Sequence, residues 1–311
     1  MLFLNTGSAG KRNSVIEFLY HIRGWLEGTY TLRIVEYFIE LFLNIAPYLL
    51  VSIALNVAAA RYVRGRTLQL SSRSETVAII SAALVGLASP LPTYAAIPIG
   101  LSLLSAQVPF SAIMAFVLAS PLMNPTVFFL TATQISMEMA IVRTLAAFVL
   151  AVLGGLLTWR IFKKLLTAKP DAEQPQPAAH RSLAGDIYHN ARYMIKYFSI
   201  ALLLSAAVRA LVPPQTITSL LGGDAKTSTL IAIGMGVPFY TCGGSAIPFM
   251  QTLMQLGMNK GATLAFFLAG PATKLETLYA YKTLLGTKVL VFFLTLTLGF
   301  SYVAGILYSL L

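Results

Sequence analysis

AIPIGLSLLSAQVPFSAIMAFVLASP (Ala96–Pro121) and AIPFMQTLMQLGMNKGATLAFFLAGP (Ala246–Pro271) lie 150 positions apart and share ten of 26 residues without a gap. The shared positions include Pro98/Pro248, Phe116/Phe266, Ala119/Ala269 and Pro121/Pro271. Each copy follows one plan. A break rich in Pro, Thr or Gly leads to a short apolar piece with Pro near its start. A polar turn and a helix-length apolar run interrupted by Pro complete it. An apolar alphabet produces several identities by chance, but it does not readily align both prolines in register. The chain therefore reads as two related membrane halves whose broken helices meet at a shared site.

Composition agrees. Apolar residues make up 57% and charged residues 11%, with a mean hydropathy of +0.76. Soluble domains carry about 25% charged residues, so this chain cannot cover itself with a charged surface. The runs Tyr37–Ala60, Ala140–Trp159 and Val289–Leu311 reach the roughly 20 residues that cross hydrocarbon. The formal charge of +11 comes mainly from short segments between apolar runs. That is the positive-inside pattern of a membrane protein rather than a nucleic-acid footprint.

Several chemistries drop out. The single cysteine, Cys242, excludes an internal disulfide framework and a multi-thiolate metal site. His21, His180 and His189 are scattered through tail and linker, so no metal site and no nucleophile–base pair is expected. There is no P-loop. An enzyme is not expected, nor a cofactor, nor ATP-driven transport by this chain alone. Met1–Gly10 has no positive charge ahead of its short apolar part and does not resemble a cleavable signal.

The expected fold is an all-α polytopic membrane protein with two inverted-topology repeats. Each repeat would hold three long spans plus a broken or re-entrant helical hairpin. Residues 1–32 form an amino-terminal tail whose Asn13–Thr29 segment reads as an interfacial helix, with Trp25 and Tyr30 at headgroup depth. The first repeat, 33–160, opens with a span over Arg33–Ala60. Glu36 and Glu40 share a face near its start, and Pro47 is expected to kink it. Arg61–Glu75 carries four arginines and one glutamate, which places it in the cytoplasm. Thr76–Ser89 and Ala95–Ala106 flank the Pro90–Thr93 break. Ser111–Ile135, interrupted at Pro121 and Pro125, precedes Ala140–Trp159, where Gly154 and Gly155 permit close helix contact.

Residues 161–190 form a Pro-rich cytoplasmic linker. The second repeat, 191–311, has its first span end near Leu211. The weakly charged loop Val212–Lys226 then suits the outside. Thr227–Val237 and Ser245–Leu256 flank the Pro238–Gly244 break, and Gly261–Tyr281 and Val289–Leu311 finish the copy. Corresponding loops on opposite sides of the membrane make the halves inverted, in an inner (plasma) membrane.

The candidate substrate or pore residues follow from the breaks. Irregular backbone survives at membrane depth only inside protein or against a cavity. In the first break these are Pro92, Thr93, Tyr94 and Pro98. In the second they are Tyr240, Thr241, Cys242, Gly243, Gly244, Ser245 and Pro248. Two helix starts converging from opposite leaflets would favour an anionic or electron-rich solute. The bland alternative is a pair of packing kinks. Pro121 and Pro271 are expected to break the later helices. Asn124 stands three residues beyond the first, where Lys274 stands beyond the second, and Glu276 follows closely. Lys274 and Glu276 suit gating or coupling; snorkelling toward the membrane surface is the competing account.

These motifs resemble a known family. The residues are Pro90-Leu-Pro-Thr-Tyr-Ala-Ala-Ile-Pro98 with Ala115-Phe-Val-Leu-Ala-Ser-Pro-Leu-Met-Asn-Pro125. Their echoes are Pro238-Phe-Tyr-Thr-Cys-Gly-Gly-Ser-Ala-Ile-Pro248 and Ala265-Phe-Phe-Leu-Ala-Gly-Pro-Ala-Thr-Lys274. The set is similar to the predicted permease family that includes the organoarsenical efflux permeases and copper/zinc exporters, over about Tyr37–Leu311. The resemblance implies an inner-membrane permease working as an exporter. Relatives commonly place cysteine in the first break, where this chain has Tyr94-Ala95-Ala96, and asparagine where it has Lys274.

The leading expectation is a secondary transporter with alternating access around Thr93–Ala96 and Thr241–Ser245. A channel on the same paired hairpins and a non-transporting membrane assembly subunit stay open as alternatives. Expected partners are a small solute or ion, anionic or metalloid, together with membrane lipid. A homodimer also stays open; nucleic acid is not expected.

Overall fold

The computed structural model describes residues 29–43, 46–47, 74–89, 96, 108–162, 199, 202–239 and 244–311, with the side chains at 237–239 and 275–276 left out. Among the described residues every regular element is helical. In chain order these are α1 (30–43), α2 (Glu75–Ala88), α3 (Phe110–Leu122), α4 (Pro125–Gln134), α5 (Met137–Ile161) and α6 (Leu202–Leu211). There follow α7 (Pro214–Leu221), α8 (Ala225–Phe239), α9 (Ala246–Gln255), α10 (Lys260–Thr273), α11 (Leu275–Leu284) and α12 (Thr287–Leu310). The interfacial helix before Thr29, the basic loop before Ser74, the Pro90–Thr93 break and the linker 161–190 beyond its first two positions lie outside the described residues.

Helix starts are marked by side-chain oxygens that satisfy otherwise unpaired N–H groups. Ser136 accepts from Met139 N at 3.0 Å to open α5. Asp224 accepts from Thr227 N at 3.1 Å at the head of α8. Asn259 accepts from Gly261 N at 2.7 Å at the head of α10. Gly257 (φ 103°) and Gly286 (φ 85°) turn the chain after α9 and α11, a left-handed backbone that a side chain would oppose.

The run Phe110–Gln134 and the helices Met137–Ile161 and Thr287–Leu310 are each long and apolar enough to span a membrane. On α5 the exposed residues include Met137, Ile141, Leu145, Val149, Leu153, Leu157 and Ile161, spaced four apart. Its buried face carries Ala140, Ala147, Ala151, Gly154, Gly155 and Thr158. A soluble helix puts its polar residues outward. Here large apolar side chains line the outer face while the inner face is mostly small, with Met139, Arg143 and Leu150 as its large residues, which suits a lipid environment.

The elements recur at the 150-residue offset. Glu75–Ala88 corresponds to Ala225–Phe239, Phe110–Leu122 to Lys260–Thr273, Pro125–Gln134 to Leu275–Leu284 and Met137–Ile161 to Thr287–Leu310. The packing recurs as well. A Cβ on Gly155 would meet Ile79 Cγ2, Ser111 O and Ala115 Cβ. A Cβ on Gly305 would meet Thr229 Cγ2, Gly261 O and Ala265 Cβ, the same three positions moved by the same offset. The corresponding helices α5 and α12 run in opposite directions. Tyr308, near the end of α12, donates to Glu138 Oε1 near the start of α5 at 2.8 Å. Farther along the pair, Gly154 approaches Leu296.

Two cores result, and each takes a piece of the other half. One joins Leu122, Met123, Val127 and Leu130 to Ile217, Ala232, Phe249, Leu264 and Phe266. The other joins Ile79, Ala82, Ala112 and Phe116 to Ala272, Ala280, Tyr281 and Phe293. The short helix after each break packs against the long helix that follows it, and its buried residues join a core that also draws on the other half.

Two expectations need correction. Pro121 and Pro271 do not break their helices, because both lie inside α3 and α10. The breaks fall two or three residues later, at Met123–Asn124 and at Lys274. In the first half Pro125 is the cause: a residue before proline is pushed out of the α region, and Asn124 is extended at φ −157°, ψ 169°. In the second, Lys274 is extended at φ −64°, ψ 131° with leucine following. The loop Val212–Lys226 is not irregular throughout either. It contains α7, which starts on Pro214 and buries Ile217 and Leu221. A first-turn proline, whose missing N–H is unpaired there anyway, is what permits it.

Candidate translocation site at the paired helix breaks

The two breaks occupy equivalent positions and differ in chemistry. Asn124 Oδ1 accepts from Val127 N at 2.9 Å and caps α4. Lys274 holds the corresponding place before α11, where no side-chain cap is made among the described residues. An ammonium has no lone pair to offer an N–H. Asn124→Ala is expected to cost about 1 kcal/mol and lower Tm by roughly 2–4 °C, whereas Lys274→Ala removes no cap. Thermal unfolding of the purified variants checks this.

One turn beyond, the two halves differ again. In α4, Thr131 donates to Val127 O at 2.7 Å and accepts from Arg143 Nη1 at 3.2 Å. Arg143 is 0% exposed, and its guanidinium lies 4.0 Å over the Phe267 ring of α10, in the other half. This cation–π contact and hydrogen bond offset part of the cost of burying a charge. At the equivalent positions Tyr281 stacks on Phe293, with ring centroids 3.9 Å apart. Sequence reasoning passed over Arg143. The signal was available, since it is the one charge in Ala140–Trp159. Its place near the end of that run, within snorkelling reach of the surface, disguised it.

Other polar contacts tie the halves at their edges. Lys260 Nζ stands 3.6 Å from Glu138 Oε1 beside the Tyr308 bond. Glu40 of α1 pairs with Arg209 of α6 at 3.3 Å, and Arg209 also lies over Tyr37.

Of the expected site residues, Pro92, Thr93, Tyr94, Pro98, Tyr240, Thr241, Cys242 and Gly243 lie outside the described residues. Gly244, Ser245 and Pro248 are buried at the start of α9, where Ile247 N donates to Gly244 O at 3.1 Å. Pro271 is buried, while Pro121, Asn124 and Lys274 are partly buried. Glu276 falls in the first turn of α11, its side chain outside the described atoms. Among the described residues no group of three or more His, Cys, Asp or Glu is placed to hold a metal.

Long apolar helices with large apolar residues exposed along their outer faces, and two helices that end at extended breaks, are the build of a membrane protein. The chain belongs to the ArsP_1 predicted permease family, whose model matches residues 31–310. It is similar to the UPF0718 protein YcgR of Bacillus subtilis, at 24% identity over 79% of this chain and 87% of that protein. It is also similar to the UPF0718 protein MJ0584 of Methanocaldococcus jannaschii, at 32% identity over 112 residues. That stretch is 35% of this chain and 31% of the archaeal protein, so the match spans less than a third of that relative. No solved structure matches the chain. The family, together with the apolar helices, supports a membrane transporter rather than an enzyme.

Proposed function

We propose that the protein is a secondary transporter of the inner membrane that exports a small solute by alternating access. Its two repeats are inverted, and the solute passes where their helix breaks meet. The observation that carries this reading is the recurrence of helices and glycine contacts at one offset while the corresponding helices α5 and α12 run oppositely. Inverted repeats with interrupted helices supply two equivalent half-sites and two equivalent ways of opening. Each core takes residues from both halves, α4 in one and α11 in the other, which couples a movement of one half to the break of the other. The basic loop Arg61–Glu75 and the linker 161–190 lie in the cytoplasm by their charge.

Flux into sealed proteoliposomes tests the proposal. The purified chain is expected to give saturable flux of a small anion or metalloid that responds to an imposed proton gradient. Gly244→Val, which puts a branched side chain where the backbone turns into α9, is expected to cut that flux more than tenfold with insertion unchanged. Complete absence of flux, or currents at channel rates, would overturn it.

A further inference from the structure

We infer that the amino end of α11, with the hydroxyls of Thr277 and Tyr281, is the binding site for a small tetrahedral oxyanion. This rests on the transporter reading and names its substrate class. Thr277 and Tyr281 are four residues apart, so they share one face of α11. They are 1% and 0% exposed, and neither hydroxyl has a hydrogen-bond partner among the described residues. Burying an unpaired hydroxyl costs about 1–3 kcal/mol. Two on one helix face, beside a helix break, call for an occupant.

The local cause lies in the break. A helical threonine commonly donates to the carbonyl four residues back, as Thr283 does to Tyr279 O at 2.7 Å. Thr277 sits in the first turn of α11, and the extended Lys274 separates it from the carbonyl of Thr273. The first intrahelical bond runs from Leu278 N to Lys274 O at 3.0 Å. The N–H groups of that first turn therefore lack intrahelical acceptors, and they carry the positive end of the helix dipole. Side chains on a helix lean toward its amino end, which aims both hydroxyls at the same region.

The first half supplies the contrast. At the positions equivalent to Thr277 and Tyr281 stand Val127 and Thr131. Thr131 is satisfied by Val127 O and Arg143, and the helix end is capped by Asn124. At the second break the equivalent side-chain groups, the hydroxyls of Thr277 and Tyr281, are without a hydrogen-bond partner among the described residues. Its donors are two O–H groups and backbone N–H groups at successive levels of one helix. That set matches an anion whose oxygens point in several directions.

Binding of radiolabelled phosphate and sulfate to the purified full-length chain, by scintillation proximity, tests the site. The wild type is expected to bind at least one of them saturably. Thr277→Val and Tyr281→Phe should each weaken that binding at least tenfold. Both should melt at or above the wild-type temperature, because each removes an unsatisfied buried hydroxyl without changing shape. Wild-type protein that binds neither ion, or variants that bind as wild type does, would overturn the inference. Proteoliposome flux separates this failure from a wider one. If the wild type carries uncharged arsenous acid and Tyr281→Phe carries it equally, the oxyanion site falls and the transporter stands. If nothing is carried, the transporter reading falls with it.

Discussion

Gly305→Val is expected to leave little folded protein, and Gly155→Val to behave alike. A Cβ at Gly305 would lie 2.8 Å from Thr229 Cγ2, 2.9 Å from Ala265 Cβ and 2.9 Å from Gly261 O. At Gly155 the corresponding distances are 2.6 Å to Ile79 Cγ2, 3.0 Å to Ser111 O and 3.1 Å to Ala115 Cβ. Ordinary contact needs appreciably more room, and the backbone oxygens cannot retreat without moving a whole helix. Overpacking costs about 1–3 kcal/mol for added methylenes. Two further methyl groups against backbone should reach the top of that range or pass it. Helices in lipid gain little from the hydrophobic effect between them, so close approach at small residues carries their association. A fall in Tm of about 6–12 °C is expected at 2–4 °C per kcal/mol, with loss of the monodisperse peak on size exclusion. Gly299→Val is the control, since a Cβ there meets nothing within 4 Å. If Gly305→Val melted with the control, the contact between α10 and α12 would be looser than described.

Arg143→Ala is expected to destabilise by about 3–5 kcal/mol, the usual cost of removing one partner from a buried charged contact. It removes the face-on contact with Phe267 and the bond to Thr131, and it opens a void in a closely packed interior. Arg143→Met should recover most of this, because it restores apolar volume and ends the cost of holding a charge out of water. Arg143→Lys should fall between the two. Its ammonium can donate to Thr131 but has no planar face to lay over the ring. Melting temperatures of the three variants decide the order. Methionine melting below alanine would mean that the charge itself, rather than the filled volume, holds α4 and α5 to the other half.

Much of this architecture was legible in the order of residues. The fixed offset between Pro121 and Pro271 anticipated the correspondence of α3 with α10, and Gly154–Gly155 marked a close approach before any coordinates. Asn124 was visible as the counterpart of Lys274. Its work as a helix cap could be read only once the chain was seen to restart at Pro125. Gly305 escaped notice because its environment comes from three residues on two other helices. Thr277 and Tyr281 escaped for a different reason. A threonine in an apolar run looks satisfied, since the helix ordinarily provides its acceptor, and only the backbone at Lys274 reveals that Thr277 lacks one; the Tyr281 hydroxyl needs an acceptor from outside its own helix, which packing alone decides.

By itself the sequence determined the membrane class, the two-fold repetition and the approximate places where helices stop. Apolar run length, proline and repeated spacing are local or one-dimensional properties. Only the tertiary structure decided that the buried residues of α4 and α11 join cores shared between the halves, that Arg143 reaches the ring of Phe267, and that the hydroxyls of Thr277 and Tyr281 find no partner among the described residues. Those depend on what stands opposite each side chain, and in a fold built from two similar halves the same local pattern admits either partner.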